Sequence, residues 1–296
     1  MSAELYDAFL ARLRRENADV AAWIGRAASD LDELKAWLDG FRPLPREVVE
    51  ELRDYYTVAL TFHSNALEGN TLSQLETEMV LAHGITIGGH SLVEHLEVVG
   101  HRDAMRYMEE LAATSTPIGA REVKDLHALI MRPVEGATGT LEAGAYRTLD
   151  VKAAGTNFLY PPHFKVADEM AAFFDWLQGE EARALDPVDL ASQAHFRLVT
   201  IHPFRDGNGR TARLLMNLLL VRAGFPVAVI AQERRREYLD ALVRGQQHGE
   251  GAAPLRELVA QAVRESLLET LRLLASAASS RGQNEPFYRA LLDAPN

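Results

Sequence analysis

Residues 202–220 specify a loop that must run straight into a buried helix. His202-Pro203-Phe204-Arg205-Asp206-Gly207-Asn208-Gly209-Arg210-Thr211-Ala212-Arg213 is followed at once by the apolar run Leu214-Leu215-Met216-Asn217-Leu218-Leu219-Leu220. Small residues feeding a helix start present backbone N–H groups that suit a phosphate. Arg210 and Arg213, three apart, lie on one face of the first turn and reach toward the same anion. Asp206 supplies a hard oxygen of the kind that holds Mg²⁺ beside phosphates. His202 has the one side chain in the segment whose ordinary pKa suits taking a proton near neutrality. The set implies phosphoryl or nucleotidyl chemistry with a general base.

Length and composition narrow the setting. A chain of 296 residues can form one large domain or two smaller ones, and 47% apolar with 25% charged residues is ordinary for a soluble globular protein. A net charge of −11 argues against broad binding to nucleic acid or anionic membrane, while leaving room for a local anion site. The absence of cysteine excludes disulfides, thiol catalysis and thiolate metal sites. The N-terminal residues are mixed and charged, unlike a secretory leader, and no stretch is apolar for long enough to span a bilayer. A cytoplasmic protein is the expectation, and richness in alanine and arginine hints at a bacterial source.

Helical periodicity dominates the chain. Amphipathic helices are expected at 4–14, 18–38, 46–68, 73–83, 91–112, 119–131, 164–178, 187–200, 211–223, 234–246 and 253–277, with a short one at 286–293. In the third, Val48, Leu52, Tyr55, Ala59, Phe62 and Ala66 form one face, and Gly69-Asn70 ends it. The exception is residues 144–162, where Leu149, Val151 and Ala153, then Phe158 and Tyr160, alternate with other residues around Ala154-Gly155-Thr156. This predicts a single β-hairpin, a surface flap because one hairpin cannot make a sheet core. Gly84-Ile85-Thr86-Ile87-Gly88-Gly89-His90 lacks the Gly-Lys-Ser/Thr ending of a phosphate loop and reads as a turn. His95, His101 and His195 have no metal-ligand spacing and read as helix-face or supporting residues. The arginines at 234–236 read as a solvated helix start.

His202 to Arg213 resembles the signature of the Fic (Fido) family, His-x-Phe-x-Asp/Glu-Gly-Asn-Gly-Arg-x-x-Arg, at every fixed position. The resemblance extends over roughly residues 40–260. It takes in Gly144-Ala145-Tyr146-Arg147, the stretch ASQAHFRLVTIHPF, and Ser64-Asn65-Ala66-Leu67-Glu68-Gly69-Asn70, which is similar to the family's inhibitory motif Ser/Thr-x-x-x-Glu-Gly/Asn. It implies a mainly α fold: a Fic-type helical bundle core with one β-hairpin flap and an N-terminal helical extension. The implied parts are an extension at 1–45, an inhibitory helix with linking helices at 46–112, the core at 113–260, and a C-terminal helix and tail at 261–296.

The resemblance further implies transfer of AMP from ATP to a Ser, Thr or Tyr hydroxyl of an unidentified target protein. His202 would be the base and Phe204 a packing anchor. Asp206 would hold Mg²⁺, with Mn²⁺ as the alternative. Gly207, Asn208 and Gly209 would form the anion hole, and Arg210 would hold the β/γ end of ATP. Arg213 would bind the γ-phosphate, or pair with Glu68 when the site is inhibited; Ser64 and Glu68 would be the inhibitory residues. Tyr238 would line the adenosine pocket, where Gln246 stands in place of the family's common Asn. Glu68 is expected at a helix C-terminus, where the dipole disfavours a carboxylate, so it needs a partner such as Arg213. Rival readings are removal of AMP with Glu68 orienting a water, a nucleotide-sensing module without turnover, and transcriptional control, which the short tail and net charge oppose. A homodimer is compatible with the family; nucleic-acid and membrane partners are not expected.

Overall fold

The computed structural model describes residues 30–139, 142–152 and 158–279. The expected helix at 4–14, most of that at 18–38 and the short one at 286–293 lie outside the described residues. The chain groups into two compact units, Met1–Tyr56 with Ala260–Asn296, and Thr57–Val259. In the first, Asp30 caps α1 (Leu31–Gly40) by accepting from the backbone N–H groups of Asp32 at 3.0 Å and Glu33 at 3.3 Å, and the helix buries Leu34, Trp37 and Leu38. The long helices α2 (Arg46–Glu68) and α11 (Ala253–Ser279) each contribute residues to both units. Tyr56, not the expected Tyr55, faces inward. Its hydroxyl donates to the Ser266 carbonyl at 3.0 Å and lies 3.2 Å from Thr270 Oγ1, whereas Tyr55 remains 44% exposed. A buried phenol needs such a partner, and only the Tyr56 position supplies it.

The second unit carries the remaining helices: α3 (Gln74–His83), α4 (Leu92–Ala112), α5 (Ala120–Thr138), α6 (Val166–Gln178), α7 (Glu180–Arg183), α8 (Pro187–Ile201), α9 (Asn208–Arg222) and α10 (Arg235–Gln247). Ser73 with Glu76, and Ser91 with Glu94, form capping boxes that start α3 and α4. The turn between them is held by His95, which accepts from the Ile87 N–H at 2.8 Å and lies 2.7 Å from the Ser91 carbonyl through its other nitrogen. Asp186 and Pro187 start α8. At the centre stands α9, buried on nearly every side and packed against α4, α5 and α8. A Cβ on Gly100 would meet the Ile130 carbonyl oxygen at 2.5 Å, so α4 and α5 touch backbone to backbone there. Two helix starts differ from expectation. A 3₁₀ turn, His163–Lys165, precedes α6. More important, α9 begins at Asn208, so Asn208 and Gly209 join Arg210 in its first turn rather than lying in the loop.

No strand occurs among the described residues, which corrects the expected β-hairpin. Residues 153–157, its expected tip, lie outside the described residues. The flanking segments are held by side chains instead of a ladder, with Asp150 Oδ1 accepting from the His163 N–H at 2.7 Å. Arg147, 4% exposed, donates to the carbonyls of Leu149 (3.2 Å), Pro161 and His202 (2.8 Å). Pro161 and Pro162 bring no N–H to a ladder, and Leu149 and Leu159 are 63% and 82% exposed, so no apolar face pins a register.

Candidate functional site

The site forms where the C-terminus of α2 meets the N-terminus of α9, inside the second unit. His202 ends α8 in the left-handed conformation (φ 53°), a shape that turns the chain sharply out of the helix. Its Nδ1 lies 3.3 Å from the Val199 carbonyl, which can only accept, so Nδ1 carries the proton and Nε2 keeps a lone pair. Burial pushes the imidazole pKa down to about 4, the Arg147 charge adding to the effect, so the ring is neutral at pH 7. Tyr160 stacks on it at 4.0 Å between ring centroids.

The loop after His202 is locked from within. Phe204 is fully buried. The Asn208 side chain accepts from the Phe204 N–H and donates to its carbonyl, both at 2.9 Å. That amide is therefore engaged with the loop, and the contribution of Asn208 to an anion hole comes from its backbone. Gly207 (φ 74°) caps α9, and a Cβ there would meet Met131 Sδ at 2.8 Å. Asp206 is the open acid, with its side chain 59% exposed and its Oδ1 accepting from the Gly207 N–H at 2.6 Å.

The two arginines of the motif are each 1% exposed. Arg213 donates to Ser64 Oγ (2.9 Å), the Ser64 carbonyl (2.8 Å), the Tyr238 hydroxyl (3.2 Å) and Glu68 Oε1 (2.7 Å). Desolvation pushes the Glu68 pKa up, but the charge and hydrogen bond of Arg213, with Arg210 and Arg235, hold it below the ordinary carboxylate range. The Glu68 side chain nevertheless remains 38% exposed. A Cβ on Gly209 would collide with Glu68 Oε1, which places the carboxylate directly on the first turn of α9. The acid is thus at the unfavourable end of its own helix dipole and the favourable end of another's.

The sequence paired Glu68 with Arg213 and put Ser64 in the same motif as Glu68; the structure brings these three together and adds Tyr238, expected in an adenosine pocket, to them. Arg210 takes a different set of partners: Glu97 Oε1 at 3.0 Å, Asn65 Oδ1 at 3.5 Å and, at 3.8 Å, Asp206. Tyr238 is 4% exposed, with its hydroxyl between Arg213 and His195 Nε2 (3.1 Å) and its pKa pushed up to about 12 by burial. Gln246 donates to Thr200 Oγ1 at 3.3 Å. His195 and His101, both fully buried, are supporting residues as expected; His101 Nδ1 lies 3.1 Å from Thr61 Oγ1. Of the arginines at 234–236, Arg235 and Arg236 are exposed, as expected of a solvated helix start, and the Arg235 Nε also donates to the Leu67 carbonyl at 2.9 Å, capping α2 beside Glu68.

Glu97, His127 and Tyr160 were not anticipated as site residues. Their only sequence signal was position on a helix face or in the flap, because each acts across more than 40 residues of chain. Among the described residues no group of three or more His, Asp or Glu side chains could cage a metal, and no helix is long and apolar enough to cross a membrane.

Comparison with known proteins agrees with this geometry. The Fic/DOC family profile matches residues 117–220. Protein adenylyltransferase fic-1 of Caenorhabditis briggsae is 36% identical over 223 residues, covering 75% of this chain and 42% of that protein. Protein adenylyltransferase Fic of Nematostella vectensis is 36% identical over 212 residues, covering 71% and 47%. The chain spans less than half the length of these curated relatives. They are animal proteins and lend no support to the compositional hint of a bacterial source. Among solved structures, a Fic-1 fragment from C. elegans superposes with a TM-score of 0.73 at 30% identity, covering 94% of this chain and 80% of that one. A Fic domain containing signaling protein from Bacteroides thetaiotaomicron gives 0.71 at 28% identity, covering 86% and 97%. Motif, helical core and the extent of these matches agree: the chain belongs to the Fic family.

Proposed function

We propose that this protein is a self-restrained protein adenylyltransferase, moving AMP from ATP to a Ser, Thr or Tyr hydroxyl of a target protein. One observation carries the reading. The Glu68 carboxylate sits on the first turn of α9 and bonds Arg213, so an anion already occupies a helix N-terminus suited to phosphate. With Glu68 withdrawn, the backbone of Gly207–Arg210 receives the phosphates and Arg213 turns to the γ-phosphate. Nε2 of His202 takes the proton of the acceptor hydroxyl, whose oxygen attacks the α-phosphorus. The bond from that phosphorus to the bridging oxygen breaks, and pyrophosphate leaves.

A divalent ion fits this donor set. Mg²⁺ is commonly held by one or two carboxylates plus substrate phosphates, and Asp206 offers a single open carboxylate beside the phosphate turn. Bound there, Mg²⁺ or Mn²⁺ would neutralise phosphate charge.

The half-exposed Glu68 carboxylate also acts electrostatically on His202, which favours a second reading: orientation of a water that removes AMP from a modified target. ATP labelled at the α-phosphate or at the γ-phosphate tests the first reading. Transfer predicts covalent label from the α-position alone, rising in Glu68→Gly; label from the γ-position, or none from either, contradicts it. A hydrolase would instead lose AMP release in the same variant.

A further inference from the structure

One face of α5 registers both segments that flank the site. Lys124 lies over the Tyr146 ring at 4.0 Å. A Cβ on Gly144 (φ 83°) would meet Ala128 Cβ at 3.0 Å and the Lys124 carbonyl oxygen at 3.2 Å. Met131 fills the space beside Gly207, as described above. Lys124, His127, Ala128 and Met131 follow helical i, i+3, i+4, i+7 spacing, so they form one stripe. His127, at its centre, is 3% exposed. The Gly144 N–H donates to its Nδ1 at 2.9 Å, and its Nε2 lies 2.9 Å from the Asp206 carbonyl. A backbone N–H only donates and a carbonyl only accepts, so the ring has one tautomer, with the proton on Nε2. Its face stacks on Phe204 at 3.7 Å with planes 6° apart.

Resting on the function proposed above, we infer that His127 is a positioning residue that stitches the root of the segment after α5 to the loop carrying Asp206. One ring thereby fixes a backbone amide of the first, a backbone carbonyl of the second and the aromatic anchor between them. A second seam runs in parallel, the Arg147 N–H donating to the Pro203 carbonyl at 2.9 Å. The segment after α5 and the loop that presents the Asp206 carboxylate are joined into one piece. His127 touches neither reacting group; it fixes the Asp206–Gly207 peptide through the Asp206 carbonyl, while Asn208, Gly209 and Arg210 are held by α9 itself. Its loss therefore acts on rate more than on nucleotide affinity.

The test uses the full chain carrying Glu68→Gly, with His127→Ala, His127→Asn or His127→Gln added. Asparagine places an amide oxygen near the Nδ1 position only; glutamine extends to the Nε2 position only. Hydrogen exchange at the Gly144 amide, ATP affinity by calorimetry and the rate of self-labelling from α-labelled ATP are measured. The stitch predicts Gly144 exchange about tenfold faster or more in the Ala and Gln variants and close to the parent in Asn. Labelling falls about tenfold or more in Ala and partly returns in Gln, while the ATP dissociation constant stays within about threefold. Unchanged Gly144 exchange in His127→Ala overturns the inference, as does parallel loss of labelling rate and ATP affinity in all three variants. If the parent shows no label, transfer itself fails, and the Gly144 exchange still decides the stitch either way.

Discussion

Arg213 is a full charge at 1% exposure, so its guanidinium must face acceptors in every state of the protein. Removing one partner of a well-buried ion pair costs about 3–5 kcal/mol. Glu68 is 38% exposed, and Ser64 and Tyr238 still face Arg213 without it, so Glu68→Gln should cost only about 1–2 kcal/mol. Thermal melts should show a loss of a few degrees. Because the folded pKa of Glu68 lies below its ordinary 4.5, this contribution is present above 4.5 and lost as pH falls through the lowered value. The gap between wild type and Glu68→Gln should stay constant from pH 7 to 5 and close only below about 4.5. His202 gives a kinetic counterpart. With its pKa at about 4, labelling by Glu68→Gly should not fall between pH 8 and 6, whereas an acid limb centred near 6.5 would mean an ordinary, solvated histidine.

At the scale of elements, the proposed restraint is the C-terminus of α2, and Arg235 from α10 caps it through the Leu67 carbonyl. Arg235→Ala removes that cap and a cation whose charge acts on Glu68, so it should loosen that end and raise labelling by up to about tenfold, the equivalent of ~1.4 kcal/mol, short of the rise in Glu68→Gly. Unchanged labelling would mean the helix end is held by Arg213 alone. The junction into α9 is tested by Gly207→Ala. A left-handed backbone costs a side chain about 1–2 kcal/mol, and Met131 Sδ stands 2.8 Å from the added carbon. Adding Met131→Ala should recover the steric part of the loss and leave the backbone part.

These elements were largely legible in the chain. Helical periodicity and the apolar run gave α3, α4, α8 and the body of α9, and the charge of Glu68 at a helix end pointed to Arg213. The hairpin was misread because alternation of Leu149, Val151, Phe158 and Tyr160 carries no information about what the residues pack on. Two of the leucines flanking its tip stay in solvent, and Arg147 supplies the bonds a ladder would have made. Asn208 and Gly209 were read as loop because glycine weakens a helical pattern; the helix tolerates Gly209 there because Glu68 fills the space a Cβ would need. His127 and Glu97 were illegible for a different reason: their partners lie 79 and 113 residues away.

For the molecule as a whole, the candidate site lies in the unit Thr57–Val259, and the other unit has its own buried polar contact in Tyr56 and Ser266. Tyr56→Phe should lower stability by about 1 kcal/mol and leave the labelling rate of a Glu68→Gly background unchanged. A changed rate would show that the site depends on more than its own unit. The central claim is that an intact transfer site is held closed by one carboxylate. The direct measurement incubates wild type, Glu68→Gly, and Glu68→Gly with His202→Ala with Mg²⁺ and α-labelled ATP, then separates the proteins under denaturing conditions. The account predicts strong covalent label in Glu68→Gly, little in wild type and none once His202 is replaced. Label as strong in wild type as in Glu68→Gly, or label that survives the loss of His202, would contradict it.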